Sequence, residues 1–156
     1  LKEKDREKFA KVLESLKKEK LINFSINHVP NTTIDTRGLS FAIKKAMHLG
    51  IKKLKIKPKI SEIRLDGGLK AGEEFKQKTI IKGDEKERVI AWASILAKVS
   101  RDKLMVKMAK KYPKYSLEVH KGYGTAKHRQ AIQKYGVSRV HRLSFCKSID
   151  FSSEVV

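Results

Sequence analysis

Two short stretches, "SEIRLDGG" and "EFKQKTIIKGD", share one form and constrain the fold more than any other feature of this sequence. Each is typical of a short β-strand with an aspartate beside glycine at its end: the first strand ends on Asp66, and Gly83 and Asp84 follow the second. A helical pattern follows from about Glu85 to Lys111, and we expect it to break near "VSRD". Strands that alternate with helices predict an α/β fold.

The rest of the chain supplies further elements of both kinds. Residues 1–20 have apolar side chains at helical spacing, and "LINFSINHV" alternates like a half-buried strand. A second amphipathic helix follows, and we expect Gly50 to end it. Near the carboxyl end, "GYGT" predicts a glycine loop that leads into a short helix closed by Gly136.

The charge of the chain indicates a polyanionic partner. Thirty-seven lysines and arginines against 17 acidic residues give a net charge of +20 and a pI near 10.1. A small domain this basic is typical of nucleic-acid binding. Many of these lysines lie on polar helix faces, where they could serve only to solvate the surface. The charge therefore predicts a salt-sensitive affinity for phosphates and not a reaction.

The remaining composition narrows the class of protein. Cys146 is the only cysteine, so an internal disulfide is excluded, which fits a reducing cytoplasm. No apolar stretch approaches the roughly 20 residues that a membrane-spanning helix needs. Because no linker rich in glycine, serine or proline divides the chain, we expect a single domain over residues 1–156, monomeric and cytoplasmic.

The two aspartates at the predicted strand ends could form a metal site. In open α/β sheets, functional sites form outside the carboxyl ends of the strands. Two carboxylates brought together there, Asp66 and Asp84, would repel each other unless a cation lay between them. Mg²⁺ prefers oxygen ligands, and carboxylates with substrate phosphates commonly hold it. Such an ion can activate water for phosphodiester hydrolysis.

A purely structural interpretation of each aspartate stays open at this point. Asp84 and Glu87 have the spacing of a capping box, in which Asp84 would cap a helix N-terminus. Asp66 could be an ordinary turn residue before glycine. Asp102 lies too far along a straight helix to share a site with Asp84, and it could reach one only if that helix breaks.

A glycine turn carries the other candidate residue. In "HKGYGTAKH", Tyr123 lies between two glycines and close to Lys121, a combination suited to stacking on bases or sugars. The segment is not a phosphate-binding P-loop, because no Gly-Lys-Ser/Thr follows it. The five histidines show no spacing typical of a metal site, and Cys146 has no evident catalytic partner in sequence.

Several of these segments together resemble the bacterial ribonuclease HII family, the type 2 ribonucleases H. The resemblance covers most of the chain, and the spacing of "ASILAKVSRD" and "HKGYGT" makes it specific. The segments that carry it are "IDTRGLSFAIKKAM", "RLDGG", "IIKGD", "ASILAKVSRDKLM", "HKGYGT" and "HRLSF".

The resemblance implies a ribonuclease H-like fold, in which helices flank a mixed sheet, and an endonuclease with roles in DNA replication and repair. Its cofactor would be Mg²⁺ or Mn²⁺, held by four carboxylates. Its substrates would be RNA–DNA hybrids and single ribonucleotides in duplex DNA, cut to leave 3′-hydroxyl and 5′-phosphate ends.

The resemblance also assigns roles to individual residues. Asp66 and Asp84 would be metal ligands and catalytic carboxylates, and Tyr123 would stack on the sugar at the ribonucleotide–DNA junction. We expect Lys82 and Lys121, in the same two motifs, to bind nucleic acid. Asp102 belongs to the family pattern, but its expected role is structural.

The sequence also departs from the family pattern. The family's opening strand carries Asp-Glu and then Gly-Arg-Gly, and an Asp-Ser-Lys segment follows later; none of these occurs here. Gly68 replaces the usual asparagine after Asp-Gly, and Gly38 replaces an asparagine of the second helix. We therefore expect an N-terminally incomplete chain that lacks the first strands of the fold and two of four carboxylates, and that is nearly inactive alone.

Two rival functions remain open. A non-catalytic basic nucleic-acid-binding protein would bind hybrids with a steep salt dependence and would tolerate Asp66→Asn and Asp84→Asn. A different metal nuclease of similar fold would cleave without requiring a junction between ribose and deoxyribose.

Overall fold

The fold comes from a computed structural model that describes residues 1–147 and 149. The predicted domain of residues 1–156 also contains residues 148 and 150–156, which lie outside the described residues. No helix in the described part of the chain is long and apolar enough to cross a bilayer. The helices are α1 (Glu3–Lys18), α2 (Asn31–Arg37), α3 (Leu39–Leu54), α4 (Gly83–Lys86), α5 (Arg88–Lys111), α6 (Leu117–His120) and α7 (Ala126–Tyr135). Single 3₁₀ turns lie at Pro58–Ile60, Pro113–Tyr115 and Leu143–Phe145, and the strands are β1 (Glu62–Asp66) and β2 (Lys76–Ile80).

The two strands form a small parallel sheet. Their register pairs Glu62 with Lys76 at one end and Asp66 with Ile80 at the other. The side chain of Gln77 fastens the connection between the strands, because it accepts from Ala71 N at 2.9 Å and donates to Gly72 O at 3.2 Å. The α/β class is confirmed: the protein is mostly helical with a small parallel sheet, consistent with the expected ribonuclease H-like fold.

Both strands end as the sequence predicted, but a third predicted strand is wrong. Residues 21–29 have no regular secondary structure, although apolar and polar residues alternate there. In the described part of the chain the only strand pairing joins β1 and β2, so this segment has no neighbour with which to form a ladder. Instead, Lys17 Nζ donates to the carbonyl of Phe24 at 2.6 Å.

Two predicted helix ends are also wrong. Gly50 does not end the second helix, since α3 continues to Leu54, and its backbone φ is not in the left-handed region. The long helix does not break near "VSRD", because α5 is continuous from Arg88 to Lys111. The interruption lies earlier, at Glu87, whose extended backbone (φ −125°, ψ 118°) separates α4 from α5.

The described chain divides into two compact units, each with its own apolar core. The first comprises Leu1–Val29 and Ser40–Val99, and the second comprises Pro30–Leu39 and the described residues from Ser100 onwards. The first core joins residues of α1 and α5, with Trp92 packed against it: Ala10, Leu13, Leu96 and Val99. The second core contains Ala109, Tyr115, Leu117, Ile132 and Cys146. The single domain therefore stays a prediction.

Replacement of Leu13 by alanine tests the first core. Leu13 is 1% exposed, whereas its neighbour Val12 is 55% exposed. We expect Leu13→Ala to lower the free energy of unfolding by about 2–5 kcal/mol, because it removes buried apolar contacts and leaves a cavity. Val12→Ala, the matched control, should change it by less than about 0.5 kcal/mol. Urea titration followed by circular dichroism measures both, and equal effects would contradict the assigned core.

Candidate functional site

Asp66 occupies the last position of β1 and is tied directly to the start of α4. Its Oδ1 accepts a hydrogen bond from the backbone N–H of Gly83 at 2.7 Å. Because β1 and β2 are parallel, the carboxyl end of β2 at Ile80 lies beside Asp66. The segment that carries Asp84 therefore begins at the same edge of the sheet, as the sequence predicted.

Gly83 is required by the close approach at this edge. A Cβ atom there would lie 2.7 Å from Ile90 Cδ1 and 3.3 Å from Asp66 Oδ1. Contacts between carbon atoms at 2.7 Å are repulsive, so a larger residue would have to displace the Ile90 side chain or the Asp66 carboxylate. Glycine at this position lets the Asp66 carboxylate reach the backbone.

Lys82 turns the chain from β2 into α4. Its backbone is left-handed, with φ 54° and ψ 48°, a conformation that costs a non-glycine residue about 1–2 kcal/mol. Strained backbone of this kind persists where surrounding contacts hold it, and here the bond between Asp66 and Gly83 supplies one such contact. Lys82 is exposed, so its side chain can reach solvent and phosphates.

The structure argues against helix capping as the role of Asp84. The position before α4 is Lys82, no side chain caps the helix, and Asp84 lies within the first turn. Glu87, the other half of the expected capping box, instead binds Arg64 at 2.6 Å. The hydrogen bond and the charge of Glu87 raise the pKa of Arg64 above its usual value. The Asp84 residue is exposed, so its carboxylate is available to an external ligand.

The donor atoms at this edge suit a hard divalent cation but supply only part of a coordination shell. Asp66 and Asp84 offer carboxylate oxygens, the ligands that Mg²⁺ and Mn²⁺ prefer. Oδ1 of Asp66 is bonded to Gly83, which leaves Oδ2 for a metal. Within residues 1–147 and 149, no three acidic, histidine or cysteine side chains are grouped so that they could hold a metal ion.

The second unit contains the glycine turn of Tyr123. Gly122 has φ +76°, and a Cβ there would lie 2.8 Å from Met105 Cε, so glycine serves both the backbone conformation and the packing. The Tyr123 residue is 53% exposed, and the Arg101 guanidinium carbon lies 5.6 Å from its ring centre. An exposed ring beside a cation is suited to stacking on a nucleotide.

Lys121 precedes that turn and is itself left-handed, with φ 50°. Its ammonium donates to the carbonyl of Glu118 at 2.6 Å, and its own carbonyl accepts from Arg101 Nη2 at 3.1 Å. These bonds hold the lysine against the turn. Its expected contact with nucleic acid stays a prediction.

Asp102 lies in the second unit and is 7% exposed. The helix that carries it, α5, is continuous from Arg88 to Lys111. Burial of the side chain within an unbroken helix is consistent with the structural role expected for Asp102. That role stays a prediction.

Sequence reasoning missed a contact that joins two of the motif segments. The Asp35 carboxylate of "IDTRG" accepts from the backbone N–H groups of Leu143 and Ser144 at 3.0 and 2.9 Å, and from the Ser144 hydroxyl at 2.6 Å. The bonds from Ser144 are the main cause that lowers the pKa of Asp35. The partners are 108 and 109 residues apart, so no local pattern announces the contact.

Three buried histidines were also missed as a group, because the sequence was searched only for metal-ligand spacings. His120, His128 and His141 are 7%, 6% and 5% exposed. The His120 and His128 rings stack with centres 4.2 Å apart, and the Nε2 atoms of His128 and His141 lie 3.2 Å apart. Burial is the main cause that lowers the pKa of His128 and of His141. The neutral rings are therefore favoured.

Comparison with known proteins gives one consistent result. The model of the family "Ribonuclease HII" matches residues 1–148. The chain is 44% identical over 149 residues to ribonuclease HII of Endomicrobium trichonymphae, and 45% identical over 139 residues to that of Caldicellulosiruptor bescii. It is 42% identical over 145 residues to ribonuclease HII of Clostridium beijerinckii.

These alignments cover most of this chain but less of the relatives. They include 95%, 89% and 93% of the chain, in the same order, and 70%, 66% and 52% of the relatives. The chain therefore spans between about half and seven-tenths of the length of these relatives.

Substitution of Gly83 by alanine tests the geometry of the Asp66 edge. The added methyl group would meet Ile90 Cδ1 and Asp66 Oδ1, so we expect Gly83→Ala to lower the free energy of unfolding by about 1–3 kcal/mol. Gly68→Ala is the matched control, because a Cβ at Gly68 meets nothing within 4 Å. Chemical denaturation compares the two variants, and a Gly83→Ala protein as stable as the control would refute the close approach.

Proposed function

Because the chain belongs to the ribonuclease HII family, we propose that the edge bearing Asp66 and Asp84 is part of the divalent-metal centre of a ribonuclease H-type endonuclease. The observation that carries this proposal is the parallel register of β1 and β2 together with the 2.7 Å bond from Gly83 to Asp66. These features bring one carboxylate to the start of the short helix that carries the other.

The chemistry follows from the class of substrate. Mg²⁺ or Mn²⁺ bound at this edge would activate the attacking water and neutralise charge on the departing oxygen. Asp66 and Asp84 would hold the cation through their carboxylates, and the bond to Gly83 orients the Asp66 carboxylate. Water attacks the phosphorus on the 5′ side of a ribonucleotide and the bond from phosphorus to the 3′ oxygen breaks, so that the products carry 3′-hydroxyl and 5′-phosphate ends.

The proposed substrates are RNA–DNA hybrids and duplex DNA with a single ribonucleotide. The net charge of +20 supports attraction to a phosphate backbone, to which Lys82 and Lys121 contribute. Tyr123 stacks on the sugar at the junction, a role supported by its exposure and by the cation beside its ring. In such a protein this chemistry serves the replication and repair of DNA in the cytoplasm.

A second function, non-catalytic binding of nucleic acid, is favoured by one observation. Among the residues that the structure describes, no group of three or more acidic, histidine or cysteine side chains could hold a metal ion. A hard cation held by only two carboxylates keeps much of its hydration and binds weakly. The two functions differ in whether the aspartates bind a metal.

Metal binding by the two aspartates is measured with Mn²⁺ alone. We expect Mn²⁺ to broaden the amide resonances of Asp66, Gly83 and Asp84 first, and to do so at least tenfold less effectively in Asp66→Asn and Asp84→Asn. Asparagine at position 66 keeps an oxygen that can accept from Gly83, so the fold is retained while the charge is lost.

Glu85→Gln supplies the matched control, since Glu85 is an exposed carboxylate beside Asp84 in α4. It should leave the broadening unchanged. If all three variants behave like the native chain, the aspartates are not metal ligands, and the non-catalytic function is favoured.

Cleavage by these 156 residues alone tests how complete the centre is. With only two carboxylates at the edge, we expect at most trace Mg²⁺- or Mn²⁺-dependent cutting of a duplex that contains one ribonucleotide. Denaturing gels that resolve the labelled strand measure it. Robust cutting that Asp66→Asn abolishes would show that the two carboxylates suffice.

A further inference from the structure

Two buried histidines of the second unit contact the backbone of the turn that carries Tyr123. His128 Nδ1 lies 2.9 Å from the carbonyl oxygen of Tyr123. The backbone N–H of Gly122 donates to His120 Nδ1 at 3.2 Å. The two rings that make these contacts stack on each other. One stacked pair of imidazoles thus binds the backbone N–H of Gly122 and the carbonyl of Tyr123.

The hydrogen-bond partners assign a tautomer to His128. A carbonyl oxygen can only accept, so His128 Nδ1 must carry the proton that binds Tyr123 O. In the neutral ring Nε2 then has a lone pair, and it accepts from His141 Nε2 at 3.2 Å. This requires the proton of His141 to be on Nε2.

The contacts of His141 with Ser138 are consistent with the same tautomer, and the Ser138 hydroxyl, 2.9 Å from Nδ1, can donate to it. The backbone N–H of Ser138 donates to His141 Nδ1 at 2.9 Å, which requires a lone pair on Nδ1. The carbonyl of Ser138 lies farther from Nδ1, at 3.3 Å, and would require a proton there. We assign the proton to Nε2, because the shorter contact is a backbone N–H bond and the bond to His128 demands the same.

His120 completes the set with one arrangement of protons. Its Nδ1 accepts from Gly122, so its Nε2 carries the proton and donates to Tyr115 O at 2.7 Å. Every ring nitrogen of the three histidines then has a partner of the correct kind. A second proton on any of the rings would place a donor against a donor.

We propose that His120, His128 and His141, held neutral in these tautomers, position Tyr123 for contact with nucleic acid. This inference rests on the proposed function, in which Tyr123 stacks at the substrate. His128 acts through the carbonyl of Tyr123, His120 acts through the neighbouring amide of Gly122, and His141 fixes the tautomer of His128. The three histidines are positioning residues and do not touch the substrate.

The surroundings of the rings favour their neutral forms. Among the described residues, the imidazoles of His120 and His141 face His128, and the Tyr115 ring lies edge-on to His141 at 4.7 Å. The Arg101 guanidinium carbon lies 5.6 Å from the centre of the Tyr123 ring. Burial, together with the neighbouring imidazoles, opposes a positive charge on His128.

The tautomers are tested in the free protein by long-range ¹⁵N–¹H spectra of the imidazoles at pH 7.5. We expect the proton on Nδ1 of His128 and on Nε2 of His120 and His141. A proton on Nε2 of His128, or a doubly protonated ring at that pH, would overturn the proposal. This readout does not depend on nucleic acid.

The effect on Tyr123 is tested with two replacements of His128. His128→Leu removes the bond to the Tyr123 carbonyl, whereas His128→Asn keeps an N–H near the position of Nδ1. We expect His128→Leu to shift the Tyr123 amide resonance and His128→Asn to restore most of it. His48→Gln, at an exposed position of α3, is the matched control. Unchanged Tyr123 resonances in a folded His128→Leu protein would overturn the proposal.

Binding links the network to function. Loss of one stacked aromatic ring corresponds to about a 5- to 150-fold loss of affinity, so we expect Tyr123→Ala to weaken binding to an RNA–DNA hybrid within that range. His128→Leu should weaken it by a factor close to that of Tyr123→Ala, and the double variant should lose no more than Tyr123→Ala alone. The salt slope should stay unchanged, unlike in Lys82→Gln.

The pH dependence of the affinity for the hybrid distinguishes positioning of Tyr123 by the histidines from a general loss of structure. Burial lowers the pKa of His128 and His141 below the usual 6.5, so added protons break the network only as the pH falls below 6.5, and the affinity ratio of native chain to Tyr123→Ala should then fall towards one. In the His128→Leu background, the affinity ratio of the single variant to the double variant should stay near one at every pH. A ratio independent of pH in the native chain would overturn the proposal.

If Tyr123→Ala binds as tightly as the native chain, the proposed role of Tyr123 fails, and the tautomers and amide shifts still decide whether the histidines position the turn.

Discussion

The hydrogen bond from Gly83 N–H to the Asp66 carboxylate is the contact on which the candidate metal site depends. It joins the carboxyl end of β1 to the first residue of α4, and it forms only because Gly83 has no side chain to meet Ile90 and Asp66. The same bond orients Asp66, begins the helix that carries Asp84, and helps to hold Lys82 in its left-handed conformation. One side chain therefore has a structural and a proposed chemical role. The Asp66→Asn variant separates these roles, because the asparagine side chain retains an oxygen that can accept from Gly83 N–H but carries no negative charge.

The second unit also uses side chains to hold irregular backbone. The Asp35 carboxylate accepts three hydrogen bonds from Leu143 and Ser144, and the histidines hold the turn around Tyr123. Backbone N–H and C=O groups need such partners where water is excluded, as at the buried histidines, whereas the bonds of Asp35 are exposed. The Cys146 thiol belongs to the apolar core of this unit. Burial raises its pKa, which disfavours the reactive thiolate.

The sequence predicted what is local and missed what depends on distant partners. The ends of β1 and β2 and the helix that Gly136 closes were predicted correctly, because alternation and glycine act over a few residues. Residues 21–29 alternate equally well, but a strand also needs a neighbour. The ion pair between Glu87 and Arg64 was missed because the two residues are 23 positions apart in the sequence. The histidine network was missed for the same reason, since its tautomers follow from carbonyls and amides that only the folded chain brings to the rings.

The two candidate positions share one local design. In Lys82-Gly83-Asp84 and in Lys121-Gly122-Tyr123 the lysine is left-handed, with φ 54° and 50°, and the glycine packs too closely for a Cβ. The third residue of each is exposed and is the one assigned to the substrate or the metal. A left-handed lysine reverses the chain sharply, and the glycine lets the turn lie against a packed side chain, Ile90 in one case and Met105 in the other. Backbone strain of this kind is typical of functional sites, where surrounding contacts maintain it. In both turns the left-handed lysine and the bonds to its neighbours fix the backbone beside one exposed residue. That residue, Asp84 or Tyr123, is the one for which we propose the contact with metal or substrate.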